Sequence, residues 1–495
     1  MHLFPLVSVL FPIAAGLLLW HLQPQDRHWR NQYVMAAVLT TSVFIFAALF
    51  LTARFGADAT EATLLAFGQQ FSVAFRIDGA SAVFGAIIAV LWPLTALYAF
   101  SYMEHEGREN KFFSFFLMSY GVVAGIAFAR DFFTLYLFYE LMTLATLPLV
   151  MHSMDAKARS AGRKYLLYSM SGAALIFIVL VFFMHYGVSL TFTAGGLLDA
   201  SLAAGHEGLL RFIFLLGFFG FGVKAAVFPL HDWLPSASVA PTPVTALLHA
   251  VAVVKSGAFA IMRLIYFGFG ADFLRGTEVQ HIALAVSAAT IVFGSAMALR
   301  SPHLKRRLAY STVSNLSYIV FAFTLMTEGG LTGGLAHMIY HAVIKITLFF
   351  CAGAILHQSE REYVYELEGM AKRMPLTAAC FTVASLGLMG IPPLGGFISK
   401  FTIGSAAAAL GDPFAVLGAV ALVLSAVLTI LYMVTVIVRL YFPLQSEDLT
   451  KLSDIRDPDW RMTVPLGILT VLALLLAFAS KEILAFLQGV GGAAL

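Results

Sequence analysis

Phe132-Phe-Thr-Leu-Tyr-Leu-Phe-Tyr-Glu140-Leu-Met-Thr-Leu-Ala-Thr-Leu-Pro-Leu-Val-Met151 is an apolar run broken by one ionisable residue, at its middle. About twenty such residues in a helix, rising 1.5 Å each, cross the roughly 30 Å hydrocarbon layer of a bilayer. A charge at the centre of that layer costs about 2.5–3.5 kcal/mol on insertion scales. The stretch therefore predicts a transmembrane helix that keeps Glu140 for a reason other than stability.

The rest of the chain agrees. Its 495 residues are 60% apolar and 12% charged, with mean hydropathy +0.87. Soluble domains carry about 25% charged residues, so lipid must solvate much of this surface. A net charge of +3 with no basic tail argues against nucleic acid. Cys351 and Cys380 lie far apart in apolar runs, which is neither a disulfide framework nor a zinc spacing. The apolar N-terminus has no Lys or Arg ahead of it, so a retained first span is expected rather than a signal peptide.

By length and hydropathy the chain divides into about fourteen candidate spans. They include 132–151, 208–228, 242–264, 308–327, 332–356, 375–411 and 462–487. The polar stretches 54–79, 187–207 and 440–461 are expected to be ordinary loops. Odd-numbered loops hold 19 of the 30 Lys and Arg residues, Lys451 among them. Even-numbered loops hold only Arg54, Arg76, Arg130, Arg211 and Arg275. The positive-inside rule puts the odd loops in the cytoplasm and both termini on the other side of the plasma (inner) membrane. The fold class expected is an all-α polytopic membrane protein.

Glu140 is not alone. Lys224, Lys255, Lys345 and Lys400 also sit inside apolar runs or beside helix breaks. Arg263 and Lys481, nearer span ends, are expected to snorkel to the interface. Buried charges of this number point to an ion or proton pathway; the alternative is pairing that only holds helices together. His337, His341 and Lys345 recur at i, i+4 and i+8, so one helix stripe carries all three over about 12 Å. Neutral imidazole both accepts and donates a proton, which suits a relay. The His-x-x-x-His spacing lacks the glutamate of the metalloprotease motif and a third ligand, so no metal is expected. His249 lies six residues before Lys255, on a different helix face.

Proline-rich interruptions stand beside the lysines. Pro229 and Pro235 follow Lys224, Pro243 precedes Lys255, and Pro392-Pro393 precede Lys400. Proline removes a backbone donor, and open backbone at membrane depth is tolerated only inside protein or along a wet cavity. Paired interruptions in two halves of a chain mark transporter sites; a plain kink is the alternative.

The run Gly222-Val-Lys224-Ala-Ala-Val-Phe-Pro229-Leu-His231-Asp-Trp233-Leu-Pro235 resembles a family signature. So do Ala240-Pro-Thr-Pro243 through His249, Lys255-Ser-Gly257, His337 to Phe350, and Gly390-Ile-Pro-Pro-Leu-Gly-Gly-Phe397-Ile-Ser-Lys400. The family is that of the antiporter-like membrane subunits: the proton-pumping subunits of respiratory complex I, Mrp-type sodium/proton antiporter subunits and membrane arms of energy-converting hydrogenases. The resemblance implies fourteen helices with two inverted five-helix repeats. The corresponding divisions are 1–110 (helices 1–3), 111–265 (first repeat), 280–440 (second repeat) and 441–495 (loop and last helix). It implies that Glu140, Lys224, Lys255 with His249, and Lys400 are the ion-pathway residues. It is most similar to the D subunit of Mrp-type antiporters, partly through Phe138-Tyr-Glu140-Leu-Met. On this count the chain is expected to stop after its fourteenth span, without the lateral helix of the largest complex I pump subunit.

Partners expected are lipid and other membrane subunits of one complex, and the ions expected are protons, with Na⁺ a candidate second ion. No haem motif, Cys-x-x-Cys or dinucleotide glycine loop is present, so no cofactor and no redox or hydrolytic chemistry is expected in this chain. A stand-alone organic-solute transporter fits less well, because the buried polar residues string along the sequence instead of clustering. The mechanism expected pairs Glu140 with Lys224, which passes protons to Lys255 and through the His337/His341/Lys345 stripe to Lys400. Burial disfavours a charged lysine and a nearby carboxylate restores the charge, so movement of such a pair would release a proton.

Overall fold

The computed structural model describes residues 2–68, 71–442 and 455–495; Lys451 and most of the 440–461 loop lie outside them. Eleven helices among these residues are long and apolar enough to cross a membrane. The protein is thus an all-α, multi-pass membrane protein. In chain order its long helices are α1 Leu3–Leu22, α2 Arg27–Phe55, α3 Gly79–Tyr102, α4 Glu109–Ala127, α5 Phe132–Val150, α6 Ala156–Tyr186 and α7 Glu207–Lys224. There follow α8 Thr242–Ala250, α9 Val253–Met262, α10 Glu278–Arg300, α11 Leu304–Thr324, α12 Glu328–Ser359, α13 Pro375–Met389, α14 Gly395–Leu410, α15 Pro413–Tyr441, α16 Trp460–Phe478 and α17 Ser480–Ala494.

Aspartates start many of these helices. Asp26, Asp78, Asp131, Asp155, Asp412 and Asp459 each accept a backbone N–H from the first turn, at 2.7–2.9 Å. Such N-caps contribute about 1 kcal/mol each. They place six of the chain's 27 acidic residues at helix starts.

Burial sorts the helices into two classes. The most apolar windows of α15 and α16 are 33% and 28% buried, those of α12 and of the segment Thr242–Phe269 89% and 100%. The outer helices present apolar side chains to lipid on most of their faces. The inner ones carry Lys255, His249, His337, His341 and Lys345, all sealed by protein.

Several expectations are corrected. The 54–79 loop contains a two-stranded antiparallel sheet, β1 Ala62–Phe67 against β2 Phe71–Phe75, with Ala62 opposite Phe75. The 462–487 span divides at Ala479 into α16 and the separate α17. Arg263 does not snorkel. It is 1% exposed, gripping Asp78 in a fork (2.6 and 2.9 Å) and Ser81 Oγ (2.8 Å). The fork satisfies a guanidinium geometrically, and the rings of Phe259 and Phe267 cover it. Pro243 does not break a helix: it lies in the first turn of α8, where its missing N–H costs nothing. The interruption comes at Val251–Ala252, whose N–H groups both turn back to Leu247 O.

Candidate proton-translocation site

Lys224 is the last residue of α7, at the helix end whose partial charge favours a cation. After it the chain turns through Ala226, a non-glycine at φ +53°, into the exposed Phe228–Pro229 and a single helical turn Trp233–Ser236 that contains Pro235. Trp233 Nε1 donates to Val223 O at 2.7 Å and ties this break back to α7. The Lys224 ammonium is fully buried, donates to Tyr139 O and lies 3.6 Å from the centroid of the Tyr139 ring.

The expected Glu140–Lys224 ion pair is not formed. Lys224 reaches the carbonyl of the residue before Glu140 instead. Glu140 stands half-buried on the outward stripe of α5, one turn from Leu144, which is 62% exposed. Its Oε1 is buried and has no hydrogen-bond partner among the described residues.

Gly257 brings the next lysine close. A Cβ there would lie 2.8 Å from the carbonyl carbon of Lys224, so only glycine lets α9 press onto the end of α7. Two residues earlier on α9, Lys255 Nζ sits 3.1 Å from Nδ1 of His341 on α12. His341 stacks on His337 (centroids 5.7 Å apart), and His337 Nδ1 meets Ser399 Oγ at 2.9 Å. Lys400 follows Ser399. Its ammonium donates to Leu388 O (2.6 Å) and Met389 O (3.2 Å), carbonyls at the end of α13 that the second break leaves without helical partners. That break turns at Gly390, φ +86°, and passes through the exposed Pro392 and Pro393.

Lys345 takes a different direction from the expected stripe. Its ammonium donates to Leu308 O at 2.9 Å and to Ser311 Oγ, both on α11. The ring of Phe349 links it to His249: Lys345 Nζ is 5.9 Å from the centroid and the His249 ring stacks at 4.9 Å. The polar line is thus Lys255–His341–His337–Ser399–Lys400, while Lys345 and His249 meet each other off it, across the Phe349 ring. Sequence reasoning missed Ser399 and Ser311. Ser399 was visible as a hydroxyl beside Lys400, whereas Ser311 carries no local signal. Among the described residues no group of His, Cys, Asp or Glu is arranged to hold a metal ion.

Residues 129–429 match the family model described as NADH:quinone oxidoreductase/Mrp antiporter, transmembrane. The chain belongs to this NADH:quinone oxidoreductase/Mrp antiporter family. All eight ionisable residues above, from Glu140 to Lys400, fall inside the matched segment, and residues 65–113 match the N-terminus of chain 5 of NADH-ubiquinone oxidoreductase (complex I). Relatives in the family include hydrogenase-4 component B of Escherichia coli (strain K12), 34% identical over 68% of this chain and 52% of its own length. Another is the A/B subunit of a probable K⁺/H⁺ antiporter from Rhizobium meliloti (strain 1021), 33% identical over 67% of this chain and 32% of its own. The chain therefore spans about half and about a third of those proteins. Among solved structures, a chain of the archaeal membrane-bound sulfane sulfur reductase superposes with a TM-score of 0.86, covering 99% of this chain and 97% of its own. A chain of the Mrp complex from Dietzia sp. DQ12-45-1b superposes with 0.82, covering 100% and 97%. Both are 23% identical, so the likeness is one of fold.

Proposed function

We propose that the chain is the proton-translocating subunit of a multisubunit cation/proton antiporter, of the Mrp D-subunit type. The observation that carries this is the contact between Lys255 and His341. It joins the segment 111–265 to the segment 280–440, read here as two inverted five-helix repeats in a fourteen-helix chain whose termini lie outside the cytoplasm. Segments 1–110 and 441–495 flank them. Protons pass from Lys224, modulated by Glu140, to Lys255, then along His341 and His337 to Lys400, with Lys345 and His249 as a side store. The breaks at Pro229–Pro235 and Pro392–Pro393 open backbone next to the terminal lysines. Other membrane subunits complete the assembly and supply the second ion, Na⁺ being the first to test.

A second reading is a membrane-arm pump of an energy-converting hydrogenase or NADH–quinone oxidoreductase, and likeness to hydrogenase-4 component B favours it. Both readings share the relay. In the reconstituted complex, Lys224→Ala and Glu140→Ala are expected to abolish proton transport with normal expression and assembly. Transport at the parental rate in both would refute the pathway.

A further inference from the structure

The connections α5–α6, α7–α8, α10–α11 and α12–α13 meet at one end of the helix bundle around a cavity of about 750 Å³, apart from the lysine–histidine line. Its wall is cationic. Lys157, Lys164, Lys305 and Arg306 line it, against the carboxylates of Asp155 and Glu362. Lys164 is engaged by Asp232. Glu362 faces His303, Oε2 to Nε2 at 3.4 Å, and Asp155 accepts the Ala158 N–H at the start of α6, at 2.7 Å. Lys157, Lys305 and Arg306 form no ion pair among the described residues.

Two side chains at this wall are short of partners. Lys305 is 7% exposed, and its ammonium donates to Ala240 O at 2.9 Å. Glu106 and Glu362 attract it from beyond ion-pair distance. A charge taken so far out of water is costly unless an opposite charge comes to it. Ser238 lines the same space at 5% exposure, and its hydroxyl has no partner among the described residues. Buried polar groups are nearly always bonded, so a donor stands unused beside the cations. The start of α11 adds to the field. His303, its N-cap, makes no side-chain cap bond, which leaves the positive end of that helix open.

We propose that this cavity binds the phosphate group of an anionic phospholipid. A phosphate ester offers negative charge and several acceptor oxygens in one small group. That suits an ammonium, a guanidinium, a hydroxyl and a helix start together. The apolar border favours lipid over free phosphate as the source. Val239, on the cavity wall, is exposed. On α6, Lys164 is followed along the same stripe by Leu167 and then Met170, both exposed, on a helix apolar enough to cross a membrane. Acyl chains along that stripe leave the headgroup at the cavity. Basic pockets between membrane helices are where acidic headgroups collect. A zwitterionic headgroup brings its own cation and loses the preference. The site does not require the buried relay to carry protons.

Native mass spectrometry of the assembled complex, with phosphatidylglycerol, phosphatidylcholine or inorganic phosphate added, tests the site. The parent is expected to retain phosphatidylglycerol in preference to phosphatidylcholine, and excess inorganic phosphate is expected to leave it bound. Lys157→Gln combined with Arg306→Gln changes two exposed side chains and is expected to weaken phosphatidylglycerol binding roughly thirtyfold. Arg159→Gln combined with Arg163→Gln removes two exposed cations of α6 that do not line the cavity, and is expected to leave binding unchanged. Equal retention of the two lipids, undiminished binding in the Lys157/Arg306 variant, or an equal loss in the Arg159/Arg163 variant overturns the site. Displacement of the lipid by inorganic phosphate overturns the lipid source. Cross-links from Lys157 to carboxylates of another subunit, with no lipid retained, overturn the site in favour of a protein partner.

Discussion

The two broken regions beside Lys224 and Lys400 use one plan in opposite surroundings. Each places a lysine next to proline-interrupted backbone, and each depends on a glycine at a close backbone approach. Gly257 presses on the end of α7 and Gly396 on the carbonyl of Gly387. Yet Lys224 is sealed and held by a carbonyl and a ring from another helix, α5. Lys400 is half-buried, and Ile391, Phe397 and Phe401 beside it are 38%, 37% and 65% exposed. A buried ammonium held by protein dipoles gives up a proton only to a neighbour inside the protein. Lys400 stands nearer the edge of the protein, beside exposed apolar side chains. The difference suits an inner station and an outer one.

The comparison breaks most sharply on accessibility. Lys400→Cys is expected to react with a small thiol reagent, and Lys224→Cys is expected to stay unlabelled until the protein unfolds. Equal labelling, read by mass spectrometry, would erase the distinction. A smaller effect sharpens it. Gly257→Ala and Gly396→Ala each force backbone apart, an overpacking penalty of about 1–3 kcal/mol. Thermal unfolding in detergent should drop for both, whereas Gly467→Ala, with open space around it, should leave it unchanged.

Much of this was legible in the chain itself. Apolar runs of about twenty residues fix where helices lie, because hydrocarbon demands internally bonded backbone. Lysines and histidines inside those runs stand out for the same reason. The i, i+4 spacing of His337 and His341 became a stacked pair in space. What stayed hidden depends on partners distant in sequence. Arg263 read as a snorkelling side chain because Asp78 lies 185 residues away. The outward stance of Glu140 depends on which face of α5 the other helices cover. The break at Val251–Ala252 holds neither proline nor glycine. Lys345 shares a stripe with the histidines, yet its ammonium found carbonyl and hydroxyl partners on α11 that no spacing announces.

Within the polar line, the direct link between the two halves is the 3.1 Å contact of Lys255 with His341. The direct measurement is a double-mutant cycle on proton transport by the reconstituted complex, with Lys255→Ala, His341→Ala and both together. Groups in one relay are grossly non-additive, so each single change is expected to stop transport as completely as the pair. Substantial transport by either single variant, with losses that simply multiply in the double, would contradict the account.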